Sequence, residues 1–308
     1  MRDRFCSYYT NSKDITKYMV SKLGVVDNDV ILEPSAGEGI FIDEVLEADK
    51  LVQIDALDIN SDAISILKKK YEDNSAVVVR ETDTLLDEQL DLYSISQLWL
   101  KQTDTLFDKQ LDMFSSLGGH YTKVIGNPPY GAWQDYEKRD VLKKKFAGHY
   151  VKETYSLFLL RCISVLRMNG RLSFIIPDTY LFLNMHSRLR ELILTNTKID
   201  EILIFPSKFF PGVSFGYSHL SIITLERCDK KSALANTFRI IQGFNSSSEF
   251  GTLLGNERER PENLQIFSFK QRDILENEQC RVILAESKTS TLLSQSAQKL
   301  GDVADVVT

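Results

Sequence analysis

The stretch KVIGNPPYGAW, residues 123–133, gathers four residues with chemistry within reach: Asn127, Pro128, Pro129 and Tyr130. Only seven prolines occur in 308 residues, so two in succession mark a place where the backbone is held stiff. Each proline fixes its own φ, and the first holds Asn127 toward extended geometry. The Asn127 side chain carries a carbonyl, and Pro128 offers a backbone carbonyl with no amide hydrogen of its own. Two acceptors aimed at one spot suit an exocyclic amino group, whose two hydrogens can each be accepted. Accepting both shifts the conjugated lone pair toward nitrogen and makes it a better nucleophile. Tyr130 adds an aromatic face on which a planar group can stack. A tight turn without chemistry is the bland alternative, and NPPY on its own does not choose between them.

A second group lies upstream, in LEPSAGEGIF, residues 32–41. Small residues and two glycines after a strand let a turn approach a ligand closely and open a helix. The run A-G-E-G-I-F is not a G-x-G-x-x-G dinucleotide fingerprint. Glu33 stands within it, where its charge would repel a pyrophosphate and suit a cation such as an ammonium or a sulfonium. Asp58 closes the next strand, where a carboxylate can accept hydrogen bonds from ribose hydroxyls. A ligand that is a nucleoside at one end and a cationic amino acid at the other is S-adenosylmethionine.

These residues need elements to hold them. The sequence predicts strands at residues 30–32, at VQIDALDIN ending on Asp58, at AVVVRETD and at TKVIGN. Helices are predicted through IDEVLEAD and NSDAISILKKKYED, the latter capped by Asn60 or Ser61. TYSLFLLRCISVLRM reads as a helix with Phe158, Cys162, Val165 and Leu166 on one face, stopping at Asn169-Gly170. RLSFIIP, EILIF and SHLSIITLE read as later strands. Strands alternating with helices predict a doubly wound, mostly parallel α/β sheet with ligands at the C-terminal strand ends.

Bulk composition narrows the class. A 43% hydrophobic and 26% charged chain is ordinary for a globular protein, and no apolar run of about 18 residues predicts a membrane span. Cys6, Cys162, Cys228 and Cys280 are scattered and form no C-x-x-C pair. With only four histidines, neither a structural zinc site nor a disulfide framework is expected, and a cytoplasmic setting is. The net charge of −6 argues mildly against nucleic acid, but EKRDVLKKKFAGHYVK, residues 137–152, is a basic cluster directly after the proline loop. His149, Lys143, Lys144 and Lys145 are read there as surface or phosphate contacts, against a plain solvated helix face.

One internal repeat stands out. VVVRETDTLLDEQLDLYS, residues 77–94, returns as LWLKQTDTLFDKQLDMFS, residues 98–115, an offset of 21 that makes Asp83 and Asp104 equivalent copies. Two copies are too few for a solenoid, so this reads as a local duplication between the third and fourth strands. Beyond about residue 228 the chain turns polar with weak periodicity, and NSSS and ERERPEN read as turns or a linker.

With these motifs in this order, the sequence resembles the gamma class of adenine-N6 DNA methyltransferases, a group that includes many restriction–modification enzymes. The resemblance covers residues 5 to about 228. It implies a seven-stranded, Rossmann-like S-adenosylmethionine-dependent methyltransferase fold. It places Thr10, in YYTNSKDITKYM, near the methionine part of the cofactor. EPSAGEGIF is similar to the cofactor loop, with Glu33 toward the amino group and Ser35 and Gly37 in the turn. Asp58 is implied to hold the ribose, and Ile59 to pack the adenine. The aspartate of the TD motif is implied to take the cofactor's adenine amine. Asp83 is favoured because it follows the third strand directly, while Asp104 lies closer to NPPY. Phe158 matches an aromatic position at the adenine pocket, and Asn127 faces both the cofactor and the target. Residues 127–130 correspond to the catalytic motif. Phe210, in FFPGVSFGYSHLSIITLE, is implied to sandwich a flipped base with Tyr130.

The expected reaction is direct methyl transfer to the N6 amine of an adenine flipped from double-stranded DNA, with no metal, covalent intermediate or histidine base. A catalytic domain at residues 1–228, a connecting extension at 229–292 and the start of a truncated or separate recognition domain at 293–308 follow. A separate recognition subunit or a cognate restriction endonuclease are the expected partners. Rival readings are a glutamine-modifying protein methyltransferase, an RNA adenine methyltransferase, and a degenerate cofactor-binding relic.

Overall fold

The computed structural model describes residues 12–94, 119–131, 136–209, 219–255 and 260–284. Its centre is one mixed sheet. In chain order the strands are β1 (Val30–Glu33), β2 (Gln53–Asp58), β3 (Val77–Glu81), β4 (Tyr121–Gly126), β5 (Leu166–Pro177), β6 (Thr197–Pro206), β7 (His219–Arg227), β8 (Thr237–Gln242) and β9 (Gln265–Lys270). They lie in the order β3-β2-β1-β4-β5-β7-β6-β8-β9. β1 pairs in parallel with β2 on one side and β4 on the other, and β2 and β4 continue in parallel to β3 and β5. β7 runs antiparallel between β5 and β6.

The doubly wound, mostly parallel expectation holds, and the strand number does not. Nine strands, not seven, are hydrogen-bonded together among the described residues. The two extra strands come from the weakly periodic stretch beyond about residue 228 and lie outside NSSS and ERERPEN: β8 pairs in parallel with β6, and β9 runs antiparallel to β8. TFRIIQ is short but buries Phe238, Ile240 and Ile241. QIFSFK lies at the sheet edge with only Phe267 and Phe269 half-buried and its other four residues exposed, so its periodic signal is weak.

Helices α1 (Lys13–Leu23), α2 (Ile40–Glu47), α3 (Ser61–Lys70), α4 (Glu88–Tyr93), α5 (Tyr136–Lys145) and α6 (Thr154–Val165) surround the first half of the sheet in sequence. α3 begins as expected: the Asn60 side chain accepts from the Asp62 amide at 3.0 Å. α6 ends earlier than its pattern suggests. Its last helical residue is Val165, and Leu166 already pairs with Tyr121 across β4 and β5. Asn169 has φ 63°, so it turns a break in the β4–β5 register rather than closing a helix. Every residue of α6 is buried, which explains why an apolar helix pattern ran straight into an apolar strand.

The strand order reverses between β1 and β4, because β1 leads outward through β2 to β3 while β4 leads to β5. Register brings Glu33 level with Ala56, and Asp58 level with Glu81. The residues following β1, β2, β3 and β4 therefore meet along one edge, the crevice where doubly wound sheets take ligands.

Candidate active site

The turn after β1 is built by tethers rather than by its own bulk. Gly37 has φ 52° and Gly39 φ 79°, conformations that favour glycine. A Cβ on Gly39 would stand 2.6 Å from the Tyr71 hydroxyl, whose one hydrogen is shared between Asp43 at 2.7 Å and the Gly39 carbonyl at 3.0 Å. The Ala36 amide donates to the Leu57 carbonyl at 2.8 Å. The Gly37 amide donates to Asp58 Oδ2 at 2.8 Å, and the Asn60 amide to Asp58 Oδ1 at 2.8 Å. Asp58 thus locks the turn to the end of β2.

Glu33, the last residue of β1, is 1% exposed, and among the described residues its Oε2 has no hydrogen-bond partner. Burial first, and then the nearby carboxylates of Asp58 and Asp43, push its carboxyl well above the usual carboxylate range. A buried acid with an orphaned oxygen is costly unless something cationic completes it.

The third wall follows β3. Thr84 Oγ1 donates to the Pro34 carbonyl at 2.5 Å, and the Asp83 carboxylate accepts from the Leu85 amide at 3.1 Å while pairing with Lys138 of α5. A cleft is lined jointly by Ser35, Asp58, Ile59, Asp83, Pro129 and Phe158. Six residues singled out from sequence, drawn from the segments after β1, β2, β3 and β4 and from α6, meet there.

The proline loop leaves the end of β4 beside this cleft. Ser35 Oγ donates to the Asn127 carbonyl at 3.2 Å, and Thr154 Oγ1 donates to the Gly131 carbonyl at 2.7 Å, so both ends of the loop are pinned. The Tyr130 hydroxyl donates to Asn127 Oδ1 at 2.5 Å, and the Tyr130 ring is fully buried. The sequence suggested an open aromatic face. In the chain alone that face is covered, so a planar group can stack on it only once its surroundings open. The tyrosine contact fixes the direction of the Asn127 amide.

Thr10, Asp104 and Phe210 lie outside the described residues, as does the second copy of the repeat. His149 is pushed down to about 4 by burial and by Arg188, which leaves it neutral at pH 7 and unsuited to a phosphate. Lys145 turns to Asp91 at 2.7 Å, whereas Lys143 stays exposed beside Asp140. Sequence reasoning missed Arg161, Lys138 and Thr84. Arg161 left a trace, a lone cation inside the apolar run LFLLRCISVL.

The donor set fits S-adenosylmethionine. The buried acid Glu33 beside the cleft and the carboxylates, aliphatic and aromatic side chains that line it match in kind a ligand with a cation, ribose hydroxyls and a purine.

The profile of the Eco57I restriction-modification methylase family matches residues 41–210, more than half of the chain. The type II methyltransferase M.HincII of Haemophilus influenzae is 26% identical over 209 residues, covering 65% of this chain and 34% of its own length. A modification subunit assigned to a type I restriction enzyme of Vibrio vulnificus superposes with a TM-score of 0.65 at 15% identity, over 90% of this chain and 58% of that one. A Listeria monocytogenes protein assigned to the class I S-adenosylmethionine-dependent methyltransferases superposes with a TM-score of 0.52 at 18% identity, over 72% and 62%. The chain spans about a third of the length of the curated methyltransferases it matches first.

Proposed function

Because this chain belongs to the Eco57I restriction-modification methylase family, we propose that it methylates DNA at the N6 amine of an adenine swung out of the duplex. Its cofactor is S-adenosylmethionine, which when bound supplies an electrophilic methyl group. Glu33, Asp58, Ile59, Asp83 and Phe158 are the residues that would hold it, with Ser35 and Gly37 shaping the turn.

The observation that carries this reading is the Ser35–Asn127 contact at 3.2 Å, which welds the acceptor loop to the cofactor turn. Asn127 Oδ1 and the Pro128 carbonyl accept the hydrogens of the adenine amine and stabilise positive charge as it develops on nitrogen. The fixed prolines hold these acceptors in place in advance, so little reorganisation accompanies the reaction. Tyr130 stacks on the base after opening, and its hydroxyl keeps the Asn127 amide turned the right way. Unstacking an adenine costs a few kcal/mol, which stacking and phosphate contacts offset. A separate recognition subunit or a cognate restriction endonuclease is the protein partner this reading proposes.

The test is Asn127→Ala. Loss of one preorganised hydrogen-bonding group at a reacting centre costs on the order of 10²–10³ in kcat. Turnover should fall by that much while cofactor binding stays within about twofold. Turnover near that of the unsubstituted chain would contradict the reading.

A further inference from the structure

Arg161 has no exposed surface and stands in the middle of a helix buried on all sides. Among the described residues, its guanidinium contacts all go to a single stretch, residues 84–94. Nε donates to the Thr84 carbonyl at 3.4 Å, Nη2 to the Asp87 carbonyl at 2.7 Å and Nη1 to Ser94 Oγ at 2.7 Å. Nη1 also pairs with Asp91 at 2.6 Å. The stretch follows directly on Asp83, and α6 carries Phe158 about one turn before Arg161. One guanidinium therefore joins two walls of the adenine end of the cleft, using the planar fork that a lysine lacks. Helix α5 ties to the same segment twice, through Lys138 to Asp83 and Lys145 to Asp91.

The sequence holds a second set of the same partners. Thr84, Asp87, Asp91 and Ser94 recur as Thr105, Asp108, Asp112 and Ser115, each 21 positions on. Residue type alone therefore cannot say which copy serves the cleft. The clamp can, because the copy Arg161 holds is the first.

We propose that Arg161 is a positioning residue for the adenine end of the cofactor, and that by clamping residues 84–94 it makes Asp83, not Asp104, the working aspartate. This rests on the cofactor reading above. A rigid second layer of this kind decides whether a hydrogen-bonding group sits where a ligand needs it.

The experiment is calorimetric titration of the full chain with S-adenosylhomocysteine and with its analogue bearing hydrogen in place of the 6-amine. Variants are Arg161→Met, Arg161→Lys, Asp83→Asn and Asp104→Asn. Arg161→Met should weaken S-adenosylhomocysteine about tenfold or more and the amine-free analogue at most threefold, because only the former uses Asp83. A merely structural role would weaken both equally, and that result overturns the proposal. Arg161→Lys keeps the charge without the fork and should recover part of the loss; it carries the test alone if Arg161→Met fails to fold by circular dichroism, equal binding to the unsubstituted chain then counting against the proposal. Asp83→Asn should lose about tenfold, and Asp104→Asn less than twofold. A loss falling on Asp104→Asn instead overturns the choice of copy. If the unsubstituted chain binds neither ligand, the cofactor reading falls and this proposal with it; failure of the variants alone to behave as stated sinks only the proposal.

Discussion

The Tyr130 hydroxyl donates to Asn127 Oδ1 at 2.5 Å, so the aromatic residue of the proline loop holds the amide acceptor of the same loop. The contact gives Tyr130 two separable duties, one in its ring and one in its hydroxyl. Tyr130→Phe keeps the ring and removes the hydroxyl's hold on the Asn127 amide. A neutral hydrogen bond contributes about 0.5–1.5 kcal/mol, so kcat should fall by up to about tenfold with DNA affinity nearly unchanged. Tyr130→Ala removes the stacking face, and base affinity should fall by about 1–3 kcal/mol. Steady-state kinetics on a duplex with an unpaired target adenine separates the two. Equal losses of affinity in both variants would contradict the division.

Glu33→Gln should move stability and cofactor affinity in opposite directions. The native carboxyl has a raised pKa, so the folded chain keeps a proton that the unfolded chain releases above about 4.5. Stability from this group is complete below that value and is lost as pH rises through the native pKa. Glutamine removes the loss, so the variant's melting temperature should exceed that of the unsubstituted chain by a margin that grows from pH 5 upward. Cofactor binding should weaken by about 1.5–3 kcal/mol, the worth of a hydrogen bond to a charged group. Binding to the unsubstituted chain should release protons, read from titrations in buffers of different ionisation enthalpy. A variant less stable at every pH would contradict this account.

Lys138 holds the Asp83 carboxylate that the adenine amine is proposed to use. Lys138→Met removes this competitor and leaves the Leu85 amide on the other oxygen. Partly exposed ion pairs are worth about 0–1 kcal/mol, so cofactor affinity should rise by up to about fivefold. Calorimetry checks it. Weaker binding would mean that the lysine supports the bound state instead.

Thr84→Val tests the wall itself. Thr84 is 2% exposed, and its hydroxyl donates to the Pro34 carbonyl, joining the segment after β3 to the turn after β1. Losing that bond should lower stability by about 1 kcal/mol and weaken cofactor binding in parallel. Thermal unfolding with and without cofactor reads both, and unchanged values in each would show the contact to be idle.

The site's outline was readable because its parts are local. EPSAGEG, LDIN and NPPY each carry their conformation in neighbouring residues, and alternating strands and helices brought their ends to one edge. What was not readable depends on partners distant in sequence. Arg161 looks like an interruption of an apolar helix until its contacts with residues 84–94 are seen. β8 and β9 form through pairing with β6 and with each other, and short strands with an exposed face leave little periodic signal. Val165 and Leu166 are both apolar, so nothing in side-chain type marks the change from helix to strand. The burial of Tyr130 likewise comes from packing and not from NPPY.

The most direct measurement is methyl transfer from labelled S-adenosylmethionine to duplex DNA, followed by digestion to nucleosides, with the unsubstituted chain and Asn127→Ala compared side by side. The account predicts label in N6-methyladenosine of the deoxy series, lost in the variant although the variant still binds cofactor. Label in a modified cytosine, in RNA or in a glutamine side chain, or equal transfer by the variant, would contradict it.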